Sequence, residues 1–131
     1  MPISYKFDRT TRRVHTTVAG PVSVDDIQGH LLAACKEQIL PYAELIDARK
    51  AAPPILSATD LWHAASRVRQ TEFNRQGLGP RAVVVEDLAM FGMTRIFVTL
   101  VSDFFPINVF RDPHMAEGWL REYSGGPANL D

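Results

Sequence analysis

The sequence lacks the features that identify several large classes of protein. Its single cysteine, Cys35, excludes an internal disulfide framework and any multi-cysteine metal site. The 14 basic and 15 acidic residues leave a net charge of −1, so no overall basic field favours nucleic acid, and we expect no such partner. Residues 1–13 alternate polar and apolar side chains and contain no apolar signal core. We therefore expect a cytoplasmic location, with peripheral contact to a membrane as an open alternative.

Motifs that define a reaction or a cofactor site are also missing from the sequence. It contains neither a P-loop nor the glycine-rich phosphate-binding loop of dinucleotide-binding proteins. The four histidines are not spaced from one another, or from the cysteine, as metal ligands are. Ser57, Asp60 and His63 recur at three-residue spacing, but a serine predicted to cap a helix is not a free nucleophile. We expect no enzymatic activity, no metal and no cofactor.

What the sequence does contain is a regular alternation of strand and helix patterns. Two opening runs, with Ile3, Tyr5 and Phe7 on one and Val14, Thr16 and Val18 on the other, predict a hairpin. Further strands at 44–47, 81–85 and 107–110 alternate with helices. The predicted order is β-β-α-β-α-β-α-β-α, an α/β fold with a mostly parallel five-stranded sheet and four helices. We predict one domain over 1–123 and a flexible tail over 124–131.

Two predicted helices begin with the same capping chemistry. Ser23 is the expected N-cap of the first helix, with Asp26 at the third helical position. Ser57 and Asp60 repeat this arrangement at the second helix, which is predicted to run to about residue 75. Each serine and its acidic partner therefore mark a helix start.

Charge and periodicity predict which residues lie at the surface in the first helix and after the strand at 44–47. Ile27 and Leu31 lie on the apolar face of the first helix, and we place His30 on the opposite, solvent-exposed face. Arg49 and Lys50 follow the short strand 44–47 and are predicted to lie in a loop. This loop is a candidate contact for a protein partner.

The predicted third helix, residues 88–102, carries more apolar surface than one core face requires. One wide stripe contains Ala89, Met90, Met93, Ile96, Phe97, Leu100 and Val101. Phe91 and Val98 lie outside it, beside Arg95. They either pack on a neighbouring helix, form a homodimer interface, or contact an apolar small molecule or a membrane surface. Met90, Phe91, Arg95 and Val98 are the candidate ligand or partner-binding residues, and we expect a homodimer.

The sequence resembles the SpoIIAA-like proteins of the STAS/SEC14 type over nearly its whole length. The resemblance lies in residues 1–5, 44–47 with Arg49, 81–85, 88–93 with Arg95, and 109–112 with Ala116, Trp119 and Leu120. Most of these positions determine fold, so the resemblance implies the fold more strongly than a function. Proteins of this wider group act as anti-anti-sigma switches or appended regulatory modules, or resemble lipid-carrying SEC14 proteins. The resemblance thus implies a non-enzymatic binding or regulatory domain.

A phosphorylation switch is the alternative function that this resemblance raises. Switch members carry an Asp-Ser-Ser/Thr-Gly type motif at the start of the second helix, and its serine is phosphorylated. This sequence departs from that pattern, because no hydroxyl residue follows Asp47 until Ser57. Ser57 is therefore the possible regulatory residue, although its role as N-cap already explains a serine there. Our leading hypothesis is an apolar-ligand or membrane-surface binding module that uses the third helix.

Overall fold

Strands and helices follow one another in the predicted order. The computed structural model describes residues 2–52, 57–70 and 77–124. Its elements are β1 (Ile3–Asp8), β2 (Arg13–Gly20), α1 (Val24–Lys36), β3 (Ala43–Ala51), α2 (Ala58–Gln70), β4 (Arg81–Val84), α3 (Leu88–Val101), β5 (Ile107–Phe110) and α4 (Pro113–Ser124). The predicted α/β class is confirmed. The tail predicted from 124 onward lies outside the described residues, apart from the residue that ends α4.

The sheet adds its strands in the order in which they occur along the chain. β1 pairs antiparallel with β2, and each later strand pairs parallel with the one before it, giving the order β1-β2-β3-β4-β5. Successive right-handed crossovers that all step the same way place their helices on one face of the sheet. α1, α2 and α3 accordingly cover one face, while α4, which follows the last strand, covers the other.

Alternation along the strands supplies both faces with apolar side chains. Val14, Val83 and Ile107 point towards α1–α3 and belong to the larger core. Ala82 and Val84, one position out of phase on β4, pack with Ala116 and Leu120 of α4 in a second core. After Arg81, β4 is apolar on both faces, as expected for a central strand that helices cover on both sides.

Both predicted helix caps are present. The Ser23 hydroxyl accepts from the Asp26 amide, and the Asp26 carboxylate accepts from the Ser23 amide. The same two bonds join Ser57 and Asp60 at 3.1 Å each. Such reciprocal caps satisfy amides that the first turn of a helix leaves without partners.

The end of β3 differs from its prediction, and the predicted end of α2 is not tested. Arg49 and Lys50, predicted in a loop, lie in β3, because a bulge between Thr17 and Ala19 lets β2 continue to pair with β3 as far as Ala51. Helix α2 is described as far as Gln70, and its predicted extension towards residue 75 lies outside the described residues.

A close backbone approach holds the loop before β4 against the loop before β3. The Gly79 amide donates to the Leu40 carbonyl at 2.9 Å. A Cβ on Gly79 would lie only 2.3 Å from the Pro41 carbonyl oxygen and 2.8 Å from that of Tyr42. Because both obstacles are backbone atoms, a side chain here must push the loops apart.

We expect Gly79→Ala to lower the free energy of unfolding by about 3 kcal/mol or more, because overpacking a buried site strains its surroundings. Gly92→Ala in α3 is the matched control, since a Cβ there meets nothing within 4 Å. It should stabilise the protein by about 0.5–1 kcal/mol, the difference in helix propensity. Urea denaturation of both variants measures these changes. Equal effects at the two positions would contradict the steric argument.

Candidate functional site

A buried carboxylate lies at the centre of the sheet face that α1–α3 cover. Glu44, near the start of β3, is 2% exposed. Its Oε2 accepts a hydrogen bond from the Thr16 hydroxyl on β2 and lies 2.7 Å from Nε2 of His30 on α1. Its Oε1 lies 3.1 Å from Nε of Arg81 on β4, although that N–H is not aimed at the oxygen. Four elements thus meet at one side chain.

Burial and neighbouring groups shift the pKa values of Glu44 and Arg81 in this cluster. Burial alone raises the pKa of Glu44, but the hydrogen bond from His30 and the charge of Arg81 outweigh it and hold that pKa below its ordinary value. Burial lowers the pKa of Arg81, which the Glu44 carboxylate opposes. An arginine stays protonated even so, and its Nη1 donates to the Gly79 carbonyl at 2.5 Å. The interior therefore contains an ion pair.

The side chain of His30 is largely covered, and the prediction that this residue is solvent-exposed is wrong. Its side chain is 9% exposed, because the ring lies against the buried Glu44 carboxylate. The ring meets the Tyr5 ring edge-on at a centroid distance of 5.3 Å. Tyr5 in turn donates a hydrogen bond to Glu37, which with burial raises the pKa of Tyr5 to about 12.

The orientation of the His30 ring leaves one nitrogen without a protein partner. A carboxylate only accepts, so the hydrogen of His30 Nε2 is assigned to the bond with Glu44. Nδ1 is buried and has no hydrogen-bond partner among the residues that the structure describes. Buried polar atoms without partners are uncommon and costly, so this atom requires an explanation.

An apolar cavity lies beside this cluster, between the sheet and the three helices. Its volume is about 170 Å³. The lining side chains are Ile3, Thr16, Val18, Val22, Ile27, His30, Ile46, Ala48, Ala51, Leu61, Val83, Met90, Met93, Thr94, Phe97 and Ile107. Thr16, His30 and Thr94 supply the polar groups of this lining. The Thr94 hydroxyl donates to the Met90 carbonyl at 2.7 Å, so its hydrogen is already used within α3.

The structure separates the candidate residues of α3. Met90 is buried and lines the cavity. Phe91 and Val98 are half-buried and pack against the larger core. Arg95 is exposed and holds its guanidinium 5.8 Å from the centre of the Phe91 ring. Within the described part of the chain, Met90 is the one of these four residues that lines the cavity.

Ser57, the possible regulatory residue, is exposed at the start of α2. Its hydroxyl accepts from the Asp60 amide, and the bonds that Asp60 makes with Ser57 lower the pKa of that carboxyl. A phosphate here would lie beside a carboxylate that is ionised at neutral pH, which is electrostatically unfavourable.

The sequence contained a signal for the cluster that the predictions missed. His30 follows Ile27 by three residues and precedes Ala34 by four, which are the spacings of one helix face. Glu44 and Thr16 likewise occupy inward positions of strands with apolar neighbours. Each of these polar residues, taken alone, resembles a surface residue. Their contact can be predicted only when the register of β2 with β3 is known.

Among the residues that the structure describes, no group of His, Cys, Asp or Glu side chains could hold a metal ion. The described helices include none that is long and apolar enough to cross a membrane.

Comparisons with known proteins support the fold. No protein-family model matches the sequence, and no curated protein is similar to it. A solved structure from Shewanella loihica, an uncharacterized protein of the DUF3478 family with a SpoIIAA-like fold, superposes with a TM-score of 0.57 at 15% identity. The superposition covers 90% of this chain and 93% of the Shewanella protein. The chain therefore has a SpoIIAA-like fold, as its resemblance to that group implied.

We expect Glu44→Gln to lower the free energy of unfolding at pH 7 by about 3 kcal/mol, because it leaves the buried Arg81 without a counter-charge. The lowered pKa of Glu44 means that its carboxylate stabilises the fold above the unfolded-state pKa, near 4.3. That contribution is lost as the pH falls through the folded-state pKa. Stability of the variant should consequently fall less steeply than that of the wild type on acidification.

Asp47→Asn, on the same strand, is the matched control for this measurement. Asp47 pairs with Arg49 at the surface, at 2.8 Å. Exposed ion pairs contribute little, so this variant should lose less than about 1 kcal/mol. Urea denaturation from pH 3 to pH 7 compares the two. If both variants lose the same free energy of unfolding, burial does not make the Glu44–Arg81 pair more important for stability than an exposed pair.

Proposed function

We propose that the protein is a non-enzymatic binding module whose ligand is a compact apolar molecule held in the cavity under α3. The observation that carries this proposal is the cavity of about 170 Å³ itself, which is lined mainly by aliphatic, methionine and phenylalanine side chains. Close packing normally leaves few spaces of this size in a protein interior. Empty space lined by apolar groups costs stability, and a ligand that fills it recovers the lost contacts.

The volume sets the size of the ligand. A cavity of about 150 Å³ lined by similar residues admits benzene, so this one suits a molecule of one aromatic ring with small substituents. A two-chain lipid is far larger than the cavity. The compact ligand is therefore favoured over a whole lipid, and contact with a membrane surface is not needed to explain the cavity.

Helix α3 supplies the adaptable part of the lining. Met90 and Met93 both line the cavity, and unbranched thioether side chains adjust their shape to different ligands. Of the four candidate residues on α3, Met90 lines the cavity, whereas Phe91 and Val98 pack against the larger core.

Binding is favoured over catalysis because the hydroxyl groups beside the cavity have other partners. The Thr16 hydroxyl donates to Glu44, and the Thr94 hydroxyl donates to a backbone carbonyl. A nucleophile needs a neighbouring base that is free to take its proton. Glu44 is instead tied to Arg81 and His30.

Benzene and p-xylene should bind to the purified protein and raise its melting temperature. At tenfold excess over Kd the expected rise is about 3–5 °C, since a ligand that binds only the folded state stabilises it. Isothermal titration calorimetry gives Kd, and thermal denaturation gives the rise. If neither measurement detects binding, the proposal is wrong.

Ala48→Leu tests the place of binding, because Ala48 lines the cavity and a larger side chain there fills part of it. This variant should bind both compounds at least about tenfold more weakly. Ala89→Leu adds the same atoms to an exposed position of α3 and should bind as the wild type does. Phospholipid retained by the purified protein in native mass spectrometry would instead favour the membrane-surface alternative.

A further inference from the structure

We infer that the cavity takes a compact hydrocarbon and rejects molecules that carry a carbonyl or carboxylate group. This inference rests on the proposed function and specifies the chemical class of its ligand. The hydrogen bonds that the polar side chains of the lining already make carry it. Among the residues that the structure describes, the polar side chains of that lining are Thr16, His30 and Thr94.

Each of these three side chains directs a hydrogen to an acceptor within the protein. The Thr16 hydroxyl and Nε2 of His30 both bond to Oε2 of Glu44. Glu44 itself is not part of the lining, so these two hydrogens point into the buried cluster. The Thr94 hydroxyl donates to the Met90 carbonyl at 2.7 Å, within α3. The described lining therefore has no polar side-chain hydrogen left for a ligand.

The second nitrogen of the His30 ring does not change this result. Nδ1 is itself buried, so it does not border the cavity. The bond between Nε2 and the Glu44 carboxylate keeps the ring from turning, because turning would break a buried charge-assisted hydrogen bond. His30 therefore contributes the apolar part of its ring to the lining.

A ligand group that needs a hydrogen-bond donor is disfavoured in such a lining. A carbonyl group that enters the cavity loses its hydrogen bonds to water without replacement. An ionised carboxylate is disfavoured more strongly, because the lining contains no lysine or arginine side chain to balance its charge. A hydrocarbon has no hydrogen bonds to lose when it leaves water. The cavity should therefore distinguish a ketone from a hydrocarbon of the same shape.

The test compares acetophenone with α-methylstyrene, in which a CH₂ group replaces the carbonyl oxygen of the same framework. The measured quantity is the ratio of Kd for acetophenone to Kd for α-methylstyrene, from isothermal titration calorimetry at pH 7. Thr16→Val and Thr94→Val each remove a hydroxyl group from the lining. Both variants should keep the ratio within about twofold of the wild-type value, because neither hydroxyl donates to the ligand.

A variant that adds a donor shows that this ratio responds to one. Met93 lines the cavity, and glutamine has a similar length and carries an NH₂ group. Met93→Gln should lower the ratio at least about fivefold, through tighter acetophenone binding and weaker α-methylstyrene binding. Met115→Gln makes the same replacement at an exposed position of α4 and should keep the wild-type ratio. An unchanged ratio in Met93→Gln would contradict the inference.

Thr16→Val removes a partner of Glu44 and can destabilise the protein, so a second measurement uses the wild type alone. The carbonyl stretching frequency of acetophenone, labelled with ¹³C at the carbonyl, falls when the oxygen accepts a hydrogen bond. Infrared difference spectroscopy of the bound ketone should give the frequency found in cyclohexane. A frequency near the value in water would disprove the inference.

The outcomes separate this inference from the proposed function. If neither compound binds to the wild type, the cavity is not a binding site and the proposed function fails. If both bind and either threonine variant raises the ratio at least about fivefold, the cavity binds ligands but a lining hydroxyl donates to them, and the inference alone is wrong. Binding of α-methylstyrene without detectable binding of acetophenone supports both proposals.

Discussion

The carboxylate of Glu44 is the interaction on which the arrangement of this interior depends. Its partners come from three other elements: Thr16 from β2, His30 from α1 and Arg81 from β4. A buried ion is costly unless its neighbours satisfy it, so these contacts fix the relative positions of the elements that supply them. An apolar side chain at position 44 would pack with fewer constraints. The polar cluster therefore specifies one arrangement of α1 on the sheet rather than simply adding stability.

This cluster lies beside the cavity, and the two features complement each other. Aliphatic, methionine and phenylalanine side chains make the lining almost wholly apolar. The His30 ring is part of this lining, and the hydrogen bond between its Nε2 and Glu44 holds it in one orientation. Positioning a contact residue through a second, buried residue is a common way to make a site selective without making it polar.

The predictable part of this structure was the part governed by local chemistry. Element order, both capping boxes and the inward faces of β1 and β2 follow from residues close together in the sequence. The cluster was not predictable in this way, because His30 and Glu44 meet only once α1 packs across β3. The end of β3 was missed for a similar reason, since its last residues are strand because β2 pairs with them after a bulge. Local pattern predicts elements, whereas long-range pairing decides which polar residues become buried.

The order of strands in the sheet has a consequence for how the protein is built. Every strand pairs with its predecessor along the chain, so each new unit can attach to the edge that the previous one has just completed. Pairings between neighbouring elements require the closure of shorter loops than pairings between distant ones. The sheet can therefore grow from the amino-terminal hairpin as the chain leaves the ribosome. The cavity is lined from Ile3 to Ile107, which makes it one of the last features to form and restricts it to the nearly complete chain.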